Sequence, residues 1–155
     1  MKSMKELRIR FSPFGFIIVA LQLLPNIVWA LFPPAVNTLE GNASSVPFIE
    51  YGEHILGVVI VVLLLFLVNR TQDKIIPSGW FTRISFAVIA LYLLCWILYF
   101  CTFQPLPVIY AMVILPPVAF FCAGAAEKVY PISAVSVLFL AFHLSVALEN
   151  FPIGR

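Results

Sequence analysis

A cluster of ionisable side chains stands out in a sequence that is otherwise almost entirely apolar. Glu50, Glu53 and His54 follow one another at spacings that place them on one side of a helix. A second histidine, His143, precedes Glu149 near the end of another apolar stretch. Histidine and carboxylate together bind transition metals or exchange protons near neutral pH. The pattern therefore predicts an ion-binding or proton-binding site.

Two amide side chains extend this cluster. Gln22 and Asn26 are four residues apart, so they share one face of a helix. We expect the face that carries Glu50, Glu53 and His54 to turn towards Asn26 and His143, because lipid tolerates one charged group near the membrane surface better than three. In the alternative interpretation the two glutamates only favour the positive end of a helix dipole, and His143 hydrogen-bonds to a neighbouring helix. No HxxxH or HExxH spacing marks a metal site.

Aromatic residues form a stripe that could line a hydrophobic ligand pocket. Tyr92, Trp96 and Tyr99 recur at helical spacing, and two of them carry hydroxyl groups. The same stripe is also typical of simple helix packing. The sequence leaves both interpretations open.

Prolines inside two apolar stretches predict bent helices. Pro25 follows the middle of the first stretch, and Pro116 and Pro117 lie at the midpoint of the fourth. A proline removes one backbone hydrogen bond and bends the helix. Interrupted helices build the binding sites of many transporters, although prolines are also common in ordinary membrane helices.

The elements that must position these residues follow from hydropathy. Of 155 residues 63% are hydrophobic, and only nine are basic and seven acidic. About 20 apolar residues cross a bilayer, so the chain predicts an all-α, polytopic membrane helix bundle with bends in spans one and four. This composition excludes a soluble enzyme, a nucleic-acid-binding domain and a disordered chain. We predict one integral membrane domain, residues 1–155, with spans at about 11–32, 49–68, 84–103, 106–125 and 129–148.

The charges of the connecting segments predict the orientation of these spans. One end of the bundle, called the basic end here, collects eight of the nine basic residues, and the opposite, acidic end collects four of the seven acidic ones. Because basic segments stay in the cytoplasm, we expect the N-terminus inside and the C-terminus outside. In a bacterium the membrane would be the plasma membrane. The basic-end residues are Lys2, Lys5, Arg8, Arg10, Arg70, Lys74, Arg83 and Lys128, and the acidic-end carboxylates are Glu40, Glu50, Glu53 and Glu149.

Three functions are compatible with this sequence. The first is a non-catalytic accessory, assembly or immunity-type membrane component, which needs no special residues. The second is a small-molecule, ion or metal binder or transporter with an outward-facing polar pocket. The third is a membrane-embedded enzyme, for which no convincing serine–histidine pair is present. The expected partners are the lipid bilayer and either a second copy or another membrane protein, with no role for nucleic acid.

The predicted orientation can be tested by cysteine accessibility. Single cysteines introduced as Asn42→Cys and Gln72→Cys, in a background without native cysteines, should react with a membrane-impermeant maleimide from opposite sides. Labelling of both positions from one side would contradict the charge argument.

Overall fold

The computed structural model describes residues 6–72 and 74–154, and this part of the chain is all-α apart from one short pair of strands. Each of its five helices is long and apolar enough to cross a membrane. The predicted all-α fold with apolar helices of membrane-spanning length is therefore confirmed. The helices are α1 (Pro13–Leu31), α2 (Pro47–Phe66), α3 (Trp80–Phe100), α4 (Leu106–Ala126) and α5 (Tyr130–Asn150).

The third helix differs most from its predicted limits of 84–103. It begins four residues earlier, after Gly79, and ends at Phe100. Thr102 adopts a left-handed backbone conformation with φ 65°, which a helix does not continue through. The side chain of Gln104 then donates a hydrogen bond of 2.9 Å to the carbonyl of Tyr99. Hydropathy alone did not detect this end, because the residues beyond it are still apolar.

Two strands that the sequence did not reveal lie at the basic end. Strand β1 (Leu7–Ile9) pairs antiparallel with β2 (Leu67–Asn69), and Leu7 lies opposite Asn69. The pairing continues beyond the strands, since the amide of Ser12 donates to the carbonyl of Leu65 over 2.8 Å. Helix α2 consequently ends at Phe66 rather than at the predicted residue 68, because its last apolar residues form a strand instead.

The prolines lie inside helices that continue past them. Pro25 is enclosed in α1, and Pro116 and Pro117 are enclosed in α4. On the following turn of α4, the hydroxyl of Ser85 donates to the carbonyl of Ala119 over 3.1 Å. This bond joins α3 to α4 and does not involve the carbonyls that Pro116 and Pro117 leave free, which are those of Met112 and Val113. The bends themselves stay a prediction.

Helix α4 is the centre of the bundle and α2 is its least enclosed member. Helix α4 packs mainly against α3 and α5 and also contacts α1 and α2. Of the most apolar stretch of each helix, 56% of the residues are buried in α4 but only 11% in α2. Helix α2 contacts chiefly α5, and it meets α1 where Gly15 lies against the backbone of Leu64.

This contact between α1 and α2 predicts a strong effect of one methyl group. A Cβ atom at residue 15 would lie 1.8 Å from the carbonyl oxygen of Leu64, and a helix backbone cannot yield as a side chain can. We expect Gly15→Ala to lower the free energy of unfolding by at least about 1–3 kcal/mol, the usual cost of overpacking. Thermal unfolding of the purified protein in detergent measures this change.

The matched control is Gly57→Ala in α2. Its Cβ would lie 3.6 Å from the ring of Phe139, an ordinary contact. Because alanine is the better helix former by up to about 1 kcal/mol, this variant should unfold at or slightly above the wild-type temperature. Equal unfolding temperatures for the two variants would contradict the close approach at Gly15.

Candidate functional site

The structure brings Glu53 and His143 into contact between α2 and α5. The Nδ1 atom of His143 lies within hydrogen-bond distance of Oε1 of Glu53, and both side chains are mostly buried. One turn earlier on α5, the ring of Phe139 stacks on the imidazole with a centroid distance of 5.0 Å. The stacked ring fixes the orientation of the imidazole, so a proton on Nδ1 points at the carboxylate.

Glycines on α2 and phenylalanines on α5 set the distance between the two helices. Gly52 lies against the ring of Phe142, where an added Cβ would come within 2.3 Å of a ring atom. Gly57 faces Phe139 further along the same interface. Small residues opposite large ones allow helix backbones to approach each other in a membrane. This approach lets the short side chain of Glu53 reach His143.

His54 does not join this pair, although it was expected on the same inward face. Its side chain is 68% exposed, and its Nδ1 lies 2.7 Å from the backbone carbonyl of Glu50 in its own helix. The reason is geometric. Successive residues of a helix point in directions about 100° apart. When Glu53 faces α5, the next residue, His54, therefore points away from it. The expectation that three ionisable residues face inward is therefore wrong for His54.

Glu50 and Glu149 hold the loop that precedes α2. The amide of Ser44 donates to Oε2 of Glu50 over 2.7 Å. The hydroxyl of Ser44 and the amide of Ser45 donate to the two carboxylate oxygens of Glu149 over 2.7 and 2.8 Å. Asn150 also donates to the backbone of this loop. These two carboxylates therefore connect the loop to the start of α2 and the end of α5.

The amides of α1 meet α3 and not the Glu53–His143 pair. The side-chain amide of Asn26 donates to the hydroxyl of Tyr92 over 2.8 Å and to the backbone carbonyl of Gln22 over 2.8 Å. Trp96 packs edge-on against Tyr92, with a centroid distance of 6.3 Å. We call Gln22, Asn26, Tyr92 and Trp96 the α1–α3 polar cluster.

Two members of the α1–α3 polar cluster carry buried polar atoms without a partner among the described residues. Gln22 is 2% exposed, and neither its side-chain oxygen nor its nitrogen is hydrogen-bonded there. The indole nitrogen of Trp96 is in the same state. Buried polar groups are nearly always satisfied, so this cluster has free capacity for a donor and an acceptor.

Tyr99 was a candidate for lining a hydrophobic pocket, and the structure gives it polar contacts. Its hydroxyl donates to the side-chain oxygen of Asn37 over 2.7 Å and accepts from the amide of Leu39 over 3.0 Å. Trp29 donates to the same oxygen of Asn37 over 2.8 Å. The end of the aromatic stripe therefore anchors the long loop between α1 and α2 to α3.

Sequence reasoning missed Glu127, which lies at the basic end just beyond α4. It is 5% exposed, and the hydroxyl of Ser12 donates to its Oε1 over 2.6 Å. Burial raises the pKa of this carboxyl to about 7, although the Ser12 hydrogen bond opposes the rise. Its position in the sequence could have indicated this residue, because Glu127 is an acid that directly follows an apolar helix at the basic end.

Within the described ranges, no three side chains of His, Cys, Asp or Glu are grouped in a way that could hold a metal ion. No protein-family model, curated protein or solved structure matches the chain. The geometry of these residues is therefore the basis for any functional proposal.

Because the buried polar atoms of Gln22 have no partner among the described residues, we expect its replacement by an apolar residue to stabilise the protein. Leucine has a similar volume and no polar atoms, so Gln22→Leu should raise the free energy of unfolding by about 1–3 kcal/mol, the usual cost of a buried polar group without a partner. Thermal unfolding of the purified protein in detergent measures the change.

Gln104→Leu is the contrasting variant. Both polar atoms of Gln104 are used, since its nitrogen donates to the carbonyls of Val36 and Tyr99 and its oxygen accepts from Thr38. This variant should lose stability. A loss of stability in Gln22→Leu as large as in Gln104→Leu would show that the Gln22 amide has a partner.

Proposed function

We propose that this chain is a non-catalytic integral membrane component whose helix α2 is attached to α5 by a charge-assisted hydrogen bond. The contact between His143 and Glu53 carries the proposal. The charge distribution supports an orientation with the N-terminus in the cytoplasm, which places this contact in the outer half of the bilayer. Of the acids and histidines that the second sequence-based alternative placed in one polar pocket, Glu53 and His143 are the pair that meet between two helices.

The position of the pair makes it suited to control α2. At the basic end α2 is tied to the N-terminal segment by backbone hydrogen bonds, including that of Arg10 to Phe66 over 2.9 Å. Towards the acidic end it touches α5 through aromatic contacts, such as Phe48 with Phe142, and through Glu53. Since so little of α2 is buried, a change at Glu53 has few other contacts to compensate for it.

The charge of the carboxylate strengthens this attachment. With an ionised Glu53 the pair is a charge-assisted hydrogen bond, which is about twice as strong as a neutral one. The ionisable groups nearby on α2 and α5 are Glu50, His54 and Glu149, and both of these carboxylates accept hydrogen bonds from the loop. From α4, Tyr110 donates to the backbone of Phe151.

A double-mutant cycle tests the proposal. Glu53→Gln, His143→Gln and the double variant are unfolded, and the coupling free energy between the two sites is extracted. We expect a coupling of about 1.5–3 kcal/mol, the range for hydrogen bonds to charged groups.

His54→Gln is the matched control, because it removes a histidine from α2 that is exposed and unpaired with α5. Its ion pair with Glu50, at 3.7 Å, is at the surface and contributes little, so this variant should cost much less stability than His143→Gln. An absent coupling between Glu53 and His143 would contradict attachment of α2 through this pair.

A second candidate function, binding of a small neutral polar molecule, is favoured by the unpartnered atoms of Gln22 and Trp96. An amide-sized molecule offers the donor and the acceptor that this cluster can take. Saturating acetamide should raise the unfolding temperature of the wild type and not of Gln22→Leu. An equal shift in the two proteins would exclude the α1–α3 polar cluster as the binding site.

A further inference from the structure

A small cavity opens at the basic end, far along the bundle from the Glu53–His143 pair. Its volume is about 40 Å³, enough for a group the size of a water molecule. Ser12 and Glu127 form part of its wall, and Arg10 and Lys74 line it as well. The proposed attachment of α2 makes no use of this cavity or of these residues.

Glu127, which lines the cavity, carries a buried carboxylate oxygen that lacks a hydrogen bond in the described part of the chain. Ser12 uses its proton on Oε1 of Glu127 and accepts from the amide of Gly15 over 2.9 Å, so it has no second proton to give. Within residues 6–72 and 74–154, Oε2 of Glu127 is buried and has no partner. A carboxylate oxygen held in this way calls for a hydrogen-bond donor, and a positively charged donor satisfies it best.

The mouth of the cavity has the opposite charge. Arg10 and Lys74 are both exposed there, and neither forms an ion pair with Glu127 in the described part of the chain. Cationic side chains of this kind bind phosphate oxygens. Apolar side chains, Phe11, Pro13 and Ile75, complete the wall. The cavity therefore combines a deep anion with cations at its mouth.

We propose that this cavity binds the phosphoethanolamine group, with its ammonium on the carboxylate of Glu127 and its phosphate on Arg10 and Lys74. The group carries one positive and one negative charge. The positive ammonium complements Glu127, and the negative phosphate complements Arg10 and Lys74. The cavity lies where α1 begins and α4 ends, at the level of lipid headgroups if the helices span a bilayer. An aminophospholipid or the free phosphoethanolamine ion can supply the same chemistry.

The ammonium end determines selectivity. A primary ammonium is compact and donates hydrogen bonds, whereas the trimethylammonium of a choline headgroup donates none and exceeds a water-sized space. A glycerol headgroup has no positive charge for Glu127. The cavity should therefore prefer phosphoethanolamine to phosphocholine and phosphoglycerol.

The pKa of Glu127 adds a pH dependence to this preference. Burial raises it to about 7, so the carboxyl is mostly protonated at pH 6 and mostly ionised at pH 8. Ammonium binding needs the ionised form, and the preference should grow as the pH rises through this range. Asp73, adjacent in sequence to Lys74, lies outside the described residues. Among the described residues, the other charged side chains at this end near the cavity are those of Glu6, Arg8, Arg70 and Lys128.

The test measures headgroup selectivity. Purified full-length protein in a non-ionic detergent is titrated with short-chain phosphatidylethanolamine, phosphatidylcholine and phosphatidylglycerol, and binding is followed by calorimetry. The wild type should bind phosphatidylethanolamine about tenfold or more tightly than phosphatidylcholine, the effect of one hydrogen bond to a charged group. Glu127→Gln keeps an oxygen for Ser12 and places a donor at the second position, so it should abolish this preference.

Two controls separate the roles of the residues. Glu6→Gln, an exposed acid at the same end, should retain the wild-type preference. Arg10→Gln should weaken binding of all three phospholipids, while Arg83→Gln, whose guanidinium lies over the ring of Trp80, should not. Because selectivity is a ratio within each variant, partial unfolding does not mimic the expected result.

Equal affinity of the wild type for phosphatidylethanolamine and phosphatidylcholine would overturn the proposal, as would a preference that survives in Glu127→Gln. Competition by free phosphoethanolamine identifies the source of the ligand. If free phosphoethanolamine displaces the lipid at a concentration similar to that of the lipid, the cavity binds a soluble ligand. If the lipid form alone binds, the ligand is a membrane lipid.

Discussion

Close approach between helices is the constraint on which the rest of this structure depends. Inside a bilayer, apolar side chains gain little by leaving lipid for protein, so helices associate through tight packing and hydrogen bonds. At the α4–α5 contact, a Cβ on Gly124 would come within 2.8 Å of Ile132 and 2.9 Å of Ser133. Ser133 also donates to the carbonyl of Phe121 over 2.9 Å. Since α4 touches every other helix, this contact and the one to α3 position the whole bundle.

Helix α2 is the least buried of the five helices, and contacts at its two ends add to its packing against α5. At the basic end it approaches α1 at Gly15 and continues into a strand whose backbone hydrogen bonds are satisfied by the N-terminal segment. At the acidic end the carboxylate of Glu50 accepts a hydrogen bond from the preceding loop, and the carboxylate of Glu53 contacts His143. The polar contacts of α2 with the rest of the bundle are therefore few and specific.

The two ends of the bundle treat their carboxylates differently. At the acidic end Glu149 accepts two hydrogen bonds from the loop and lies in the open. At the basic end Glu127 is enclosed by Ser12 and its neighbours and keeps one oxygen unpartnered in the described part of the chain. The first arrangement stabilises a loop. The second costs stability unless a ligand supplies the missing donor, and this difference distinguishes a structural carboxylate from a candidate binding site.

The sequence by itself determined the number, length and order of the apolar helices, because a helix that crosses lipid requires about 20 apolar residues whatever its neighbours are. It also identified Glu53, His143, Asn26 and Tyr92 as residues of interest. Which of them meet was decided by tertiary structure alone. The spacing of Glu53 and His54 could not tell which one faces α5, since one residue turns a helix by about 100° and the packing edge is set by Gly52 against Phe142. The strand pair and the burial of Glu127 likewise depend on chain segments that are distant in sequence, and no local pattern encodes such contacts.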